Sequence, residues 1–133
     1  MSSVAIELDG VLGDTRPLWD AFLVDVSRRA QVDPARLDEE LPNWRALLER
    51  FAEDHAPVYL QPSAPATSAL RRLQADGVRI GVFTDAPEEL AQIAVAHLAG
   101  TRRVDVLEAG PGALERLLER LPGARVVHSL AEL

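Results

Sequence analysis

Two carboxylates stand two positions apart in the sequence Glu7-Leu8-Asp9-Gly10, directly after the short apolar run 4–6. In an extended chain, residues 7 and 9 point to the same face, and the glycine lets the backbone turn sharply after them. Two acids at a strand end suit a magnesium site, or a nucleophile with a general acid beside it. The alternative is structural: one acid caps the turn and the other is solvated.

A second candidate site follows the apolar run 78–83, where Thr84 and Asp85 precede a helix that Pro87 opens. A hydroxyl together with the free backbone N–H groups of a helix N-terminus forms an anion-binding site. The alternative is that Thr84 or Asp85 only caps the helix. The pair therefore indicates either an anion site or a helix start.

Apolar runs of strand length alternate with amphipathic segments of helical spacing along the chain. This pattern predicts strands at residues 4–8, 78–83, 104–107 and 124–128, with helices between them. It favours an α/β fold, a Rossmann-like three-layer sandwich with a mostly parallel sheet and right-handed crossovers. Such folds bind ligands at the carboxyl ends of their strands, which is where both candidate sites fall.

Residues 14–62 do not fit this alternation, and we interpret them as a small helical cap inserted into a core formed by residues 1–13 and 63–133. The cap is expected to lie over the carboxyl ends of the strands. Its second helix is predicted to end at residues 55–57. Three prolines in residues 57–66 then predict a rigid linker.

The composition excludes several classes of site. The 133 residues include no cysteine and no lysine, which excludes disulfides, thiolate zinc sites, Schiff-base chemistry and a P-loop lysine. The formal charge of −7 argues against binding to nucleic acid or to anionic lipid, because both need a basic surface. No signal peptide or membrane segment is evident, so we expect a cytoplasmic protein without nucleic-acid or membrane partners.

Taken together, the two candidate sites resemble the first two motifs of the haloacid dehalogenase (HAD) superfamily of phosphatases and related hydrolases. The order of elements is also similar, with a cap between the motifs. The resemblance implies that Asp9 is the general acid/base and that Thr84 holds the transferring phosphoryl group, with Gly10 and Asp85 lining the ligand site. It also implies magnesium as a cofactor, and Glu7 and Asp9 would be its ligands if a metal binds.

Three positions depart from the family pattern. Glu7 stands where the family has a nucleophilic aspartate, and its longer side chain would displace the carboxylate by roughly an ångström, an error that can cost about 10²-fold in rate. Gly110 stands at the place of a basic residue, so Arg102 or Arg103 would have to replace it. His128-Ser129 follows the last predicted strand, where the family has a metal-binding acid.

These departures favour a catalytically degenerate HAD-like domain that binds a small phosphorylated ligand or a protein partner. The alternative is a magnesium-dependent HAD-family hydrolase, a phosphatase of small phosphate esters with an altered site; dehalogenation is a weaker third reading. His128 ends a strand near the site, where it could touch a ligand. The predicted sheet is one strand short of the family core, which suggests an exposed edge and pairing into a homodimer.

Overall fold

Four parallel strands form a single sheet in the computed structural model, which describes residues 2–133. The strands are β1 (Ser3–Glu7), β2 (Arg79–Thr84), β3 (Val106–Ala109) and β4 (Arg125–Val127). Their order across the sheet is β3-β2-β1-β4, so the first strand is central and pairs with both β2 and β4. The predicted α/β fold with a parallel sheet is therefore confirmed.

The central strand is buried on both faces because parallel sheets are covered by helices on each side. Val4 and Ile6 contact one apolar cluster, whereas Ala5 between them contacts a second cluster on the opposite face. This arrangement explains why β1 is a continuous apolar run in the sequence and not an alternating one.

Six α-helices accompany the sheet. They are α1 (Arg16–Arg29), α2 (Leu37–Glu40), α3 (Trp44–Tyr59), α4 (Ala64–Ala75), α5 (Glu88–Leu98) and α6 (Ala113–Arg120). Helix α6 alone covers one face, and α4 and α5 cover the other, which produces the three layers. Within residues 2–133 no helix combines the length and the apolar character needed to span a membrane.

The helices that precede α4 share one apolar core with the sheet. Phe22 of α1 and Leu48 of α3 belong to the same buried cluster as Ile6 of β1 and Leu90 of α5. Helix α3 lies directly against α5. The predicted cap is thus attached to the core by continuous side-chain packing.

The prediction for the end of α3 is wrong. The helix continues through Pro57 to Tyr59, and α4 begins at Ala64 with Pro65 in its first turn. The connection between them is therefore residues 60–63, much shorter than the predicted linker. Pro57 is tolerated because it lies in the last turn of α3, where its missing N–H removes one hydrogen bond and little of the helix follows.

A glycine in β2 allows α6 to pack closely on the sheet. A Cβ atom at Gly81 would lie 2.7 Å from Leu117 Cδ1 and 2.8 Å from Leu121 Cδ1. Both leucines are completely or almost completely buried, so they have little room to move away.

We expect Gly81→Ala to lower the free energy of unfolding by about 1–3 kcal/mol, because the added methyl group overpacks the contact between α6 and the sheet. The cost should be smaller when the same change is made in a Leu117→Ala background, where space has been created. Urea unfolding of the two single variants and the double variant measures this coupling. Equal costs in both backgrounds would contradict the packing argument.

Candidate functional site

The carboxyl ends of β1 and β2 lie side by side, because Glu7 is paired with Phe83 in the register of the two strands. After β1 the chain forms a tight turn, Leu8–Leu12, in which Gly10 has a φ of +99°. This left-handed conformation favours glycine, which has no Cβ to clash with the backbone. The Gly10 N–H donates to the Gly13 carbonyl at 2.8 Å and holds the turn closed.

The Asp9 carboxylate accepts three hydrogen bonds from two other segments. Oδ1 accepts from the backbone N–H of Thr15 at 2.7 Å and from the Thr15 hydroxyl at 2.8 Å. Oδ2 accepts from the Thr84 hydroxyl at 2.8 Å. Asp9 therefore joins the turn after β1 to the start of α1 and to the end of β2.

Both threonines are almost inaccessible to solvent, with 2% of each residue exposed. A hydroxyl buried to this degree needs a hydrogen-bond partner. The Thr84 hydroxyl donates to Asp9 and also accepts from the backbone N–H of Ala86 at 3.2 Å, which shapes the entry to α5. Thr84 thus closes a turn before α5 and does not cap the helix, because the N-cap residue of α5 is Pro87 and no side chain caps it. Thr84 is also among the residues that line the cleft.

The Glu7 carboxylate contacts the imidazole of the residue that follows the last strand. His128 Nδ1 lies 2.6 Å from Glu7 Oε2. Because a carboxylate only accepts hydrogen bonds, Nδ1 is the donor. The His128 ring also packs edge-on against Phe83, with 6.0 Å between the ring centroids.

The backbone at His128 is fixed by Glu132, the acid nearest to the end of β4. The His128 N–H donates to Glu132 Oε2 at 2.7 Å, and Arg125 Nη1 donates to the Glu132 carbonyl at 2.8 Å. The Glu132 carboxylate therefore stabilises the loop and leaves the imidazole turned toward Glu7.

An open cleft of about 360 Å³ lies at this edge of the sheet. Its lining includes Glu7, Asp9, Thr84, Asp85 and Gly110. A neighbouring recess of about 570 Å³ extends beneath the helices of residues 14–62. These helices therefore border the cleft and do not fill it.

Arg16, the first residue of α1, lines both the cleft and the neighbouring recess. Its Nε lies 2.8 Å from Asp14 Oδ1. The hydrogen bond that Arg16 donates to Asp14 raises the pKa of Arg16, and the charges of Asp9 and Asp85 act in the same direction. The guanidinium is well exposed and lies close enough to the two cleft acids to be influenced by their charge.

Arg102 and Arg103 lie near the amino ends of the strands, at the opposite end of the sheet from Gly110. They therefore cannot replace the basic residue that is missing at Gly110. They follow α5, which returns the chain to the amino ends of the strands. Arg103 donates to the Ala99 carbonyl at 3.2 Å, and Gln74 of α4 donates to the Arg102 carbonyl at 3.4 Å.

A different arginine lies next to the Gly110 loop. Arg116 of α6 forms an ion pair with Glu108 at 2.9 Å and donates to the carbonyls of Ala109 and Pro111. Hydrogen bonds from Arg116 and Arg120 lower the pKa of Glu108. Arg116 thus braces the loop on which Gly110 lies.

The side chains present do not match a magnesium site. Three of the four carboxylate oxygens of Glu7 and Asp9 accept hydrogen bonds from the protein. Glu132 is engaged with a backbone N–H, and His128 presents a hydrogen to Glu7. Across residues 2–133, no three Asp, Glu, His or Cys side chains are grouped so that they could hold a metal ion.

Comparisons with known proteins identify the fold. No protein-family profile and no curated protein matches the sequence. Among solved structures, a HAD phosphatase from Thermococcus onnurineus aligns over 96% of this chain and 77% of its own, with 21% identity and a TM-score of 0.64. CbbY from Rhodobacter sphaeroides, solved with xylulose-1,5-bisphosphate, aligns over 96% and 76%, with 14% identity and a TM-score of 0.74.

The L-2-haloacid dehalogenase from Xanthobacter autotrophicus aligns over 96% of this chain and 69% of its own, with 15% identity and a TM-score of 0.50. The chain has the haloacid dehalogenase fold. At these levels of identity the likeness concerns the fold alone. The HAD-like fold accounts for the meeting of Glu7, Asp9 and Thr84 at one edge of the sheet, and the roles of these residues remain predictions.

Sequence reasoning missed Thr15, Arg16 and Arg116, which lie at or next to this cleft. Thr15 and Arg16 are only a few residues beyond Asp9, and Pro17 marks the start of α1, so a short loop before a helix was the available signal. Arg116 is one turn into α6, and nothing in the sequence indicates that its guanidinium folds back over the Gly110 loop.

We expect Asp9→Ala to lower the free energy of unfolding by about 3 kcal/mol, because it leaves the buried hydroxyls of Thr15 and Thr84 without their acceptor. Asp85→Ala is the matched control: it lies at the same edge, is exposed and, in the part of the chain that is described, accepts no side-chain hydrogen bond. Its effect should stay within about 0.5 kcal/mol. Chemical denaturation measures both changes, and equal effects would contradict the structural role of Asp9.

Proposed function

We propose that this protein is a catalytically degenerate HAD-like domain that binds a small ligand in the cleft at the carboxyl edge of its sheet. The observation on which this proposal depends is the contact between Glu7 and His128. In the family pattern, the position of Glu7 belongs to the nucleophile. Here its carboxylate is both longer and hydrogen bonded to an imidazole at 2.6 Å.

A carboxylate nucleophile acts only when one oxygen is held in line with the atom that it attacks. The extra methylene of Glu7 moves its oxygens relative to an aspartate, and the His128 hydrogen bond stabilises the negative charge that would have to attack. Both effects lower reactivity. Phosphoryl transfer depends almost entirely on positioning and charge neutralisation, so these losses affect the chemistry directly.

The open cleft favours ligand binding over a purely structural or protein-interaction role. Had the helices of residues 14–62 filled the space above Asp9 and Thr84, only an outer surface would remain for a partner. Instead, the cleft and the neighbouring recess meet at Arg16 and Asp85. This space is in the size range of pockets that bind small molecules.

The charges around the cleft are compatible with a small phosphorylated ligand. Three acids, Glu7, Asp9 and Asp85, line the cleft. In the fold, Glu7 is paired with His128, Asp9 with two hydroxyl groups, and Arg16 lies at the rim. An arginine that can turn from Asp14 to a ligand is the type of residue that recognises a phosphate group.

The competing function is a magnesium-dependent phosphatase of small phosphate esters. It is favoured by the presence of Asp9 and Thr84 in one cleft, since these residues match the acid/base and the phosphate hydroxyl of the family pattern. The two functions differ in whether the cleft turns over its ligand.

Hydrolysis of p-nitrophenyl phosphate with magnesium tests catalysis. We expect the wild-type rate to equal that of Asp9→Asn, a variant that keeps an oxygen acceptor for Thr15 or Thr84. Thermal melting of both proteins confirms that each is folded under the assay conditions. A wild-type rate that is clearly above that of Asp9→Asn would contradict the proposal and establish the phosphatase.

Titration with inorganic phosphate and glycerol 3-phosphate, followed by NMR, tests binding. We expect saturable shifts in the amides of Gly10, Asp85 and Gly110, and about tenfold weaker binding in Arg16→Ala, which loses one charged contact. Arg28→Ala removes an arginine from the other end of α1 and should bind as the wild type does. Equal affinities in all three proteins, or no saturable shift, would contradict a phosphate site at this cleft.

A further inference from the structure

His128, the residue that follows β4, lies against the end of the first strand. The family pattern places a metal-binding acid at the end of the last strand, and this chain has His128 there. Its imidazole reaches across from β4 to the neighbouring β1 and contacts the Glu7 carboxylate directly. Two groups that would both face a metal in the family pattern therefore face each other.

The contact is a directed hydrogen bond held by several supports. Glu132 fixes the His128 backbone N–H at 2.7 Å, and the ring edge contacts Phe83. At Gly10, a Cβ would meet the His128 carbonyl at 3.8 Å, so the turn after β1 packs closely on the same loop. The backbone of His128 is thus held beside β1, and its side chain, 56% exposed, contacts Glu7.

Three of the four carboxylate oxygens of Glu7 and Asp9 already accept hydrogen bonds from the protein. A hard divalent cation needs several oxygen ligands, and each must give up any hydrogen bond that it already accepts at the coordinating lone pair. Asp9 accepts hydrogen bonds at both oxygens, two of them from hydroxyl groups that are almost fully buried. A cation bound there would remove the acceptor from Thr15 or Thr84, and one bound at Glu7 Oε2 would displace His128.

We propose that His128 takes the place of a divalent cation beside Glu7, so that this site holds no divalent metal. The N–H of the imidazole supplies the Glu7 carboxylate with a hydrogen-bond donor from the protein itself. This inference does not depend on the proposed function. A metal-free hydrolase would agree with it, whereas a non-catalytic site that binds magnesium would contradict it.

Paramagnetic Mn²⁺, used in place of Mg²⁺, tests the proposal on the intact protein. We expect no saturable broadening of the Leu8, Asp9, Gly10 and Thr84 amides in the wild type at concentrations up to the millimolar range of weak oxygen-ligand sites, roughly 10⁻³ M. Saturable broadening of these amides below that concentration would overturn the proposal.

Two substitutions test whether the imidazole is responsible. We expect His128→Asp, which supplies a further carboxylate, to give saturable broadening at a Mn²⁺ concentration at least tenfold below the highest at which the wild type gives none, and His128→Ala to show a smaller gain. His97→Gln removes an imidazole on α5 and should bind as the wild type does. If neither substitution of His128 increases the affinity, the imidazole does not exclude the ion and the proposal fails.

The hydrogen bond itself has a separate readout. In ¹⁵N spectra of the histidine side chains, Glu7→Gln should shift the Nδ1 resonance of His128 and leave those of His55 and His97 unchanged. An unchanged His128 resonance would show that the pair does not form in solution, which also overturns the proposal. Because none of these measurements involves a phosphate ligand, their failure is distinguishable from failure of the proposed function.

Discussion

The arrangement of residues at the carboxyl ends of β1 and β2 depends on one group, the carboxylate of Asp9. It accepts hydrogen bonds from Thr15 at the start of α1 and from Thr84 at the end of β2. Two buried hydroxyl groups and one backbone N–H are satisfied by a single side chain. Asp9 consequently fixes three segments relative to one another: the turn after β1, the start of α1 and the end of β2.

The contact between Glu7 and His128 extends this pattern to the other neighbour of β1. Glu7 and Asp9 both accept hydrogen bonds from protein groups. These hydrogen bonds hold the carboxyl ends of the strands together. Both acids therefore contribute to the fold, and the open cleft beside them is also lined by Arg16.

The sheet and its neighbouring helices could be predicted because their signals are local. Strand β1 is a continuous apolar run, and Pro87 with the following acids marks the start of α5. The end of α3 could not be predicted in the same way. A proline usually ends a helix, and only the packing of Ala52 and Ala56 in the core shows that this helix continues for another turn.

The candidate site was partly predictable for the same reason. Glu7 and Thr84 each end an apolar run, so the parallel sheet brings them together. Arg16 reaches the cleft only because the turn after β1 is tight. Arg102 lies near the amino ends of the strands only because α5 reverses the chain direction. Neither fact is encoded in residue type or spacing. Both follow from three-dimensional connectivity.

The central place of β1 has a consequence for how the molecule folds. Its partners come from near residue 80 and near residue 126, so β1 is completed only when segments far apart in the sequence meet. Closing such long loops has a high cost in chain entropy, and topologies of this kind fold slowly. The cleft is therefore a product of long-range pairing, since Asp9 and Thr84 are 75 residues apart in the chain.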